Sequence, residues 1–98
     1  MKVIFEDDNL ARLESDANFR DNRSVEQVRA FRKVVNLIRQ ATKSPDLYSL
    51  KSLRLEKLLG KMKGYHSMRL NDQFRLVVQF GNIEGQETVV IVRIEDYH

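Results

Sequence analysis

The chain has 98 residues, of which 32% are charged and 42% are hydrophobic, and this balance predicts one globular domain over residues 1–98 and excludes a disordered chain. No apolar segment approaches the ~20 residues of a membrane-spanning helix, and the N-terminus lacks the apolar core of a secretory signal, so we expect a cytoplasmic protein. The lack of cysteine excludes disulfides and thiolate metal sites, and the net charge of +3 favours an anionic partner.

The first half of the chain is predicted to be mainly helical. A short strand over residues 1–5 precedes a weak amphipathic helix over residues 8–19. Ser24 opens the clearest helix, because Gln27 follows it at the spacing of a capping box. Apolar residues then recur at steps of three and four and form one face: Val25, Val28, Phe31, Val35, Ile38 and Ala41. Ser44-Pro45-Asp46 is predicted to end this helix, because the residue before a proline is disfavoured in helical geometry.

The second half is predicted to form strands over residues 65–70, 74–80 and 89–94. A connecting segment before them is expected to be buried by four leucines: Leu53, Leu55, Leu58 and Leu59. Residues 60–64 form a turn bracketed by glycines, Asn71-Asp72 forms another turn, and residues 81–85 form a loop. In the middle strand, alternation places Phe74, Leu76, Val78 and Phe80 on one face and Arg75, Val77 and Gln79 on the other.

This order of elements, β-α-α-β-β-β, predicts the fold class. We expect an α+β fold in which a two-helix hairpin packs on one face of a small, mainly antiparallel sheet.

A basic cluster lies between residues 51 and 69. Six positive side chains oppose Glu56 alone and give these 19 residues a net charge of +5, whereas the rest of the chain carries −2. The six are Lys51, Arg54, Lys57, Lys61, Lys63 and Arg69. Such a cluster is typical of a phosphate-binding surface, although a solvated face of the protein would have the same composition.

The chemistry that these residues favour is RNA cleavage without a metal ion. His66 and His98 do not have the spacing of a metal site, and residues 60–64 lack the spacing of a nucleotide-binding loop. A ribose 2′-hydroxyl can attack its own phosphate when side chains transfer the protons and cations stabilise the added charge. Histidine suits the proton transfer and arginine suits the phosphate. The candidates are Lys61, Lys63, His66, Arg69, Arg75, Asp96, Tyr97 and His98.

Each candidate also has a structural interpretation. Arg75 fits an exposed strand arginine, and His66 fits a surface or half-buried strand residue. Lysines are common in turns, and Tyr97 and His98 stand at the chain end, where residues are ordinarily frayed. From the residues alone, the sequence indicates a basic α+β domain with the side chains to bind RNA.

The second half resembles the HigB branch of the RelE/ParE toxin superfamily. The similarity lies in the run Ser-x-Arg-x-Asn-x-x-x-Arg from Ser67 to Arg75, in the glycine-bracketed loop before it and in the final Glu-Asp-Tyr-His. The resemblance implies a helix hairpin on a sheet whose concave face binds messenger RNA in the ribosomal A site. It identifies the chain as the toxin of a type II toxin-antitoxin system, a ribosome-dependent endoribonuclease that uses no cofactor.

The resemblance also implies roles and partners. Arg75 would contact the scissile phosphate, and Asp96, Tyr97 and His98 would form or border the catalytic centre. The RNA-binding residues would be Lys61, Lys63, Arg69 and His66. The expected partners are the ribosome, messenger RNA and a cognate helix-turn-helix antitoxin. The toxin would contact DNA only indirectly, through this antitoxin.

Two departures from the family pattern leave alternatives open. Leu59 stands where many HigB toxins have a lysine, so Lys61 or Lys63 would have to replace that lysine, or the activity is reduced. The loop at residues 81–87 is longer than usual. The alternatives are a gyrase inhibitor of the related ParE branch, against which the Asp96-Tyr97-His98 ending argues, and a catalytically weakened relative that only binds its antitoxin.

Overall fold

The computed structural model describes residues 1–96, which form a five-stranded sheet with helices. The strands are β1 (Lys2–Phe5), β2 (Glu56–Lys57), β3 (His66–Arg69), β4 (Phe74–Ile83) and β5 (Gln86–Asp96). Their order in the sheet is β1-β5-β4-β3-β2, with β1 parallel to β5 and the other neighbours antiparallel. The predicted α+β class and mainly antiparallel sheet are therefore confirmed.

Within residues 1–96, three helices accompany the sheet: α1 (Asp8–Ser15), α2 (Val25–Gln40) and the short α3 (Ser44–Tyr48). Short 3-10 helices cover Lys51–Leu53 and Gly60–Met62. None of the helices within residues 1–96 has the length and apolar character to cross a membrane.

The predicted cap of α2 forms in one of its two halves. The Ser24 side chain accepts a hydrogen bond from the backbone amide of Gln27 at 3.1 Å, which satisfies an amide that has no partner within the helix. The Gln27 side chain does not close the box, because its oxygen accepts instead from Arg23 Nη1 at 3.2 Å. The serine alone therefore begins the helix.

The apolar face of α2 packs on the sheet as its periodicity predicts. Phe31, Val35 and Ile38 are fully buried, and they share a core with Met68 and Leu76 of the strands. Each fully buried side chain of this size contributes about 1.5–3 kcal/mol to the free energy of unfolding. The sheet consequently has one face covered by helices.

A side chain of α2 connects the two helices of the hairpin. The Arg32 guanidinium donates hydrogen bonds to the backbone carbonyls of Leu13 at 2.9 Å and Asp16 at 3.0 Å. α1 ends at Ser15 and not at the predicted residue 19, because the Asp16 side chain accepts from the Asn18 amide at 2.9 Å and turns the chain.

The prediction that Pro45 ends the long helix is wrong. α2 already ends at Gln40, and Pro45 lies in the first turn of α3, where a proline is tolerated because the first amides of a helix have no carbonyl partner in it. The Asp46 carboxylate accepts from the amides of Thr42 and Lys43 at 3.0 and 3.1 Å and begins this short helix.

The predicted loop over residues 81–85 is wrong as well. β4 continues to Ile83 and β5 starts at Gln86, so the connection is a two-residue hairpin turn of Glu84 and Gly85. Both turn residues have positive φ angles, 53° and 80°, which is the geometry that matches the twist of the flanking strands. Exposed residues can therefore form strands, although their composition is typical of a loop, when the backbone groups of two neighbouring strands are hydrogen-bonded to each other.

The expected burial of the leucine segment holds only in part. Leu53 is buried and Leu55 packs against the core, but Leu59 has 85% of its surface exposed. The prediction is therefore wrong for Leu59, which stands immediately before the Gly60–Met62 turn and contributes nothing to the core.

Candidate nucleic-acid interface

The sheet face opposite the helices carries two rows of residues from β3, β4 and β5. Ser67, Val77 and Arg93 are register partners in one row, and Arg69, Arg75 and Glu95 are partners in the next. Between them lies the row Met68, Leu76 and Ile94, which packs toward the helices. Because successive strand residues point to opposite faces, the two rows share what we call the open sheet face. The predicted placement of Arg75 away from Phe74 and Leu76 agrees with this arrangement.

A β-bulge in β5 decides which residues reach the open sheet face. Val77 is paired with Arg93 but Val78 is paired with Ile91, so Val92 is the extra residue. Ile91 faces the core, and strict alternation from it would turn Arg93 and Glu95 toward the helices. The added residue reverses the alternation and brings both charged side chains to the open sheet face.

Glu95 links two arginines on this face. Its Oε1 atom lies 3.6 Å from Arg75 Nη2, and its Oε2 atom lies 3.6 Å from Arg93 Nη2. The Arg75 side chain is only 24% exposed, so its charge is screened less than that of a fully solvated arginine. The carboxylate offsets part of the repulsion between the two guanidinium groups and holds them side by side.

The open sheet face also contains a depression of about 170 Å³. It is lined by Arg54, Glu56, Ser67, Arg69 and Arg75. Arg69 makes a close hydrogen bond and ion pair with Asp72, which restrains it beside Arg75. Three guanidinium groups in one concave place form a surface that suits a phosphate backbone.

Lys61 and Lys63 lie in the turn at the border of this face. Both are exposed, and Gly60 and Gly64 have the positive φ angles, 66° and 95°, that let the chain turn sharply. The Arg93 Nη2 atom is 3.6 Å from the sulfur of Met62, which stands between the two lysines. The structure thus places the predicted RNA-binding turn next to Arg93.

His66 stands apart from these residues. It is two positions from the buried Met68 on the same strand, and its ring packs edge-on against Phe80 at 4.8 Å between ring centres. Both neighbours belong to the helix side of the sheet. The structure therefore does not bring His66 together with Arg69 and Arg75, and its role in RNA binding stays a prediction.

The protonation of His66 should make the stability of the fold depend on pH. Burial, with a smaller contribution from the nearby Lys57, lowers the pKa of His66 below its ordinary value of 6.5. As pH falls below 6.5, the unfolded chain therefore binds a proton before the folded chain does, and stability falls until the folded pKa is passed. We expect wild type to lose more stability than His66→Gln in denaturant melts from about pH 8 to about pH 5. Parallel curves for the two proteins would contradict this prediction.

The two acidic residues at the end of β5, Glu95 and Asp96, point to opposite faces of the sheet. Asp96, a predicted catalytic residue, is the partner of Phe74 and accepts a hydrogen bond from Gln73 Nε2 at 3.0 Å. Glu95, which had no predicted role, is the carboxylate beside Arg75. The other two predicted catalytic residues, Tyr97 and His98, lie outside the described residues.

Three residues of the open sheet face had no role in the sequence analysis: Arg54, Arg93 and Glu95. Arg54 was counted in the basic cluster only as a charge. A signal for the other two was present, because the apolar residues Val89, Ile91 and Ile94 change their spacing from two to three, as a bulge requires. Within residues 1–96, no three histidine, aspartate or glutamate residues are grouped so as to hold a metal ion.

Comparison with known protein families gives a match over residues 3–98 to the HigB-like toxins, described as RelE-like toxins of the type II toxin-antitoxin system HigB. The chain belongs to this family. The resemblance predicted from the second half is thereby confirmed and extends over the helices as well. Comparison with curated protein sequences gave no match.

Solved structures share the fold of this HigB-like toxin at low sequence identity. YafQ from E. coli strain BL21(DE3) has a TM-score of 0.61 and 9% identity, and the match covers 97% of this chain and 91% of that one. A YoeB/ParE toxin from Agrobacterium tumefaciens has a TM-score of 0.58 and 18% identity over the whole of both chains. A YoeB-YefM complex from Staphylococcus aureus has a TM-score of 0.58 and 20% identity, covering 100% of this chain and 97% of that one.

Proposed function

We propose that this toxin is a ribosome-dependent endoribonuclease, which cleaves messenger RNA in the A site without a metal ion or other cofactor. The observation that supports this function is the half-buried Arg75, which stands on the open sheet face between Arg69 and Glu95. A guanidinium group there has the planar fork that binds two oxygens of one phosphate. Membership in the HigB-like family favours the same activity.

The proposed reaction is an internal transfer of the phosphate. The ribose 2′-oxygen forms a bond to phosphorus while the bond from phosphorus to the 5′-oxygen breaks. The products are a 2′,3′-cyclic phosphate and a 5′-hydroxyl end. Arg75 stabilises the charge that builds up on the phosphate oxygens, and Lys61, Lys63 and Arg69 bind the neighbouring backbone.

Proton transfer is assigned to the end of the chain. The reaction needs one group to take the proton of the 2′-hydroxyl and another to protonate the 5′-oxygen. Among residues 1–96, the single histidine lies on the helix side of the sheet. As the resemblance to the HigB branch implies, we place the proton transfer at His98, with Tyr97 and Asp96 forming or bordering the same centre.

Two partners follow from this proposal. The ribosome would bind and orient the message, because positioning supplies a large part of the rate enhancement in a site with few catalytic groups. A cognate helix-turn-helix antitoxin would hold the toxin inactive in the cytoplasm, and contact with DNA would occur only through it. The Staphylococcus aureus structure, a complex of YoeB with YefM, supports a partner of this general kind.

The function is tested by incubating the purified protein with a transcript, with and without ribosomes. Cleavage is expected only with ribosomes, at ends that primer extension maps within the translated region, each with a 5′-hydroxyl. A matched transcript without a ribosome-binding site is the control and should stay intact. Equal cleavage with and without ribosomes would contradict ribosome dependence.

The same protein induced in cells separates the alternatives. A halt of translation before any other effect supports the ribonuclease. DNA damage and filamentation as the first effect would identify a gyrase inhibitor of the ParE type. Normal growth would identify a weakened relative that only binds its antitoxin, an outcome consistent with the exposed Leu59 at the position of the family's lysine.

A further inference from the structure

The open sheet face holds a second arginine next to Arg75 that the proposed reaction does not use. Arg93 lies on β5, in the row adjacent to Arg75, and the two guanidinium groups share the carboxylate of Glu95. Each of the two distances from Glu95 is 3.6 Å. A charge-assisted hydrogen bond is about 2.7–2.9 Å long. Glu95 therefore attracts both groups without being hydrogen-bonded to either at these distances.

The two arginines and Glu95 stand in a partly buried place, since the side chains of Arg75 and Glu95 are 24% and 32% exposed. Charges in such places are screened less by salt than charges in open solvent. A phosphate that reaches Arg93 at this place would therefore be attracted more strongly than one beside an arginine on a fully exposed surface.

Arg93 also connects two parts of the site. Its Nη2 atom lies near the sulfur of Met62, in the turn that carries Lys61 and Lys63, and its ion pair with Glu95 reaches toward Arg75. Positive side chains therefore lie at both ends of this connection, the two lysines at the turn and Arg75 in the middle of the sheet, with Met62 and Glu95 between them. A nucleic acid strand presents phosphates at regular intervals, so a strand with one phosphate at Arg75 and another at the lysine turn would pass Arg93.

The local backbone supports a functional position for Arg93. Strict alternation from Ile91 would bury the guanidinium under the helices, and the extra residue Val92 brings it out instead. A bulge interrupts the hydrogen-bond ladder of a central strand, and bulges are frequent beside active sites, where they redirect a side chain. An ion pair between side chains as exposed as Arg93, at 47%, adds little to the stability of the fold.

We propose that Arg93 forms a second phosphate-binding position beside Arg75, with Glu95 as the internal counterion that holds the two arginines side by side. This inference rests on the proposed function, because it adds a neighbouring phosphate of the same RNA strand. Arg93 binds the RNA backbone directly and does not act through Arg75.

The test measures binding without cleavage. A fluorescent single strand of ten 2′-O-methyl nucleotides, which lacks the attacking hydroxyl, is titrated with wild type, Arg93→Ala and Arg93→Lys at several salt concentrations. Each lost phosphate contact should lower the slope of log affinity against log salt by about 0.7 for a single strand. We expect this loss in Arg93→Ala, together with a roughly tenfold weaker affinity. Arg93→Lys should recover most of the slope, because it keeps the charge, but not the full affinity, because it lacks the planar fork.

Two further comparisons make the outcome decisive. Arg20→Ala removes an exposed arginine between α1 and α2, where its surface neighbours belong to those helices and their connection, and should bind as wild type does. Arg75→Ala/Arg93→Ala should lose a further 0.7 or so of slope relative to Arg75→Ala if the two arginines bind separate phosphates. No further loss would show that Arg93 acts only through Arg75 and would overturn the proposal. An Arg93→Ala variant that matches Arg20→Ala, or a wild type that does not bind the strand, would overturn it too.

This result is separable from that of the ribosome experiment. A wild type that binds with an Arg93-dependent slope but cleaves no message on ribosomes rejects the proposed function and leaves the binding position standing. A wild type that cleaves, with Arg93→Ala equal to Arg20→Ala in binding, rejects the binding position alone.

Discussion

The Arg75→Ala variant is expected to lose toxicity while it still folds. A guanidinium that stabilises charge in the transition state contributes on the order of 100- to 1,000-fold to the rate, as measured for single donors in other enzymes. The cost in stability should be below about 1 kcal/mol, because the ion pair with Glu95 is partly exposed and Glu95 keeps Arg93 as a partner. A large loss of rate combined with a small loss of stability distinguishes an arginine that contacts the reacting phosphate from an ordinary strand arginine.

The measurement pairs a thermal melt with growth after induction and with cleavage on ribosomes. Arg75→Lys is the informative companion, because it keeps the charge but loses the planar fork, and it should fall between wild type and alanine in rate. Arg20→Ala, between α1 and α2, is the control for the loss of one positive charge. An Arg75→Ala protein that melts normally and stays toxic would show that Arg75 is a strand residue with no part in the reaction.

The second large effect is expected for His98→Ala, or for removal of both Tyr97 and His98. Losing a group that transfers protons costs on the order of 100- to 10,000-fold in rate. Residues at a chain end usually contribute little to stability, so the melt should shift by less than the equivalent of about 1 kcal/mol. We therefore expect a variant that folds as wild type does but no longer arrests growth.

His66→Gln is the matched comparison, since it removes the other histidine of the chain. Retained toxicity in His66→Gln and lost toxicity in His98→Ala would assign proton transfer to the chain end. Loss of toxicity in both would give His66 a part in RNA binding as well. If His98→Ala melts normally and remains toxic, the histidine is a bystander, and if it does not fold, the end of the chain is structural.

Local signals predicted the parts of the fold that depend on neighbouring residues in the chain. The cap at Ser24 and the buried stripe of Phe31, Val35 and Ile38 follow from spacing within one helix. The orientation of Arg75 likewise follows from alternation with Phe74 and Leu76. In each case the residues that form the pattern are close together in the chain, so their spacing is sufficient to predict the local geometry.

The same signals were wrong where a hydrogen-bond partner, and not the composition of the segment itself, decides the outcome. Residues 81–85 have the composition of a loop, yet most of them are strand because β5 supplies hydrogen bonds to β4 as far as the Glu84-Gly85 turn. Pro45 normally interrupts helices, yet it begins α3 because the Asp46 carboxylate caps that short helix. The composition of a segment does not indicate which hydrogen-bond partner the segment will have.

The candidate site also combines features that the sequence predicts with features that depend on the tertiary structure. The order of elements and the alternation in the middle strand allowed the sequence by itself to determine the mainly antiparallel α+β fold and the face on which Arg75 stands. The run from Ser67 to Arg75, the glycine-bracketed loop and the final Glu-Asp-Tyr-His likewise determined the toxin family. Only the tertiary structure decided that Arg93 and Glu95 join Arg75 and that His66 does not. The physical reason is the register between β4 and β5: one extra residue, Val92, reverses which side chains point away from the core, and register is set by pairing between strands.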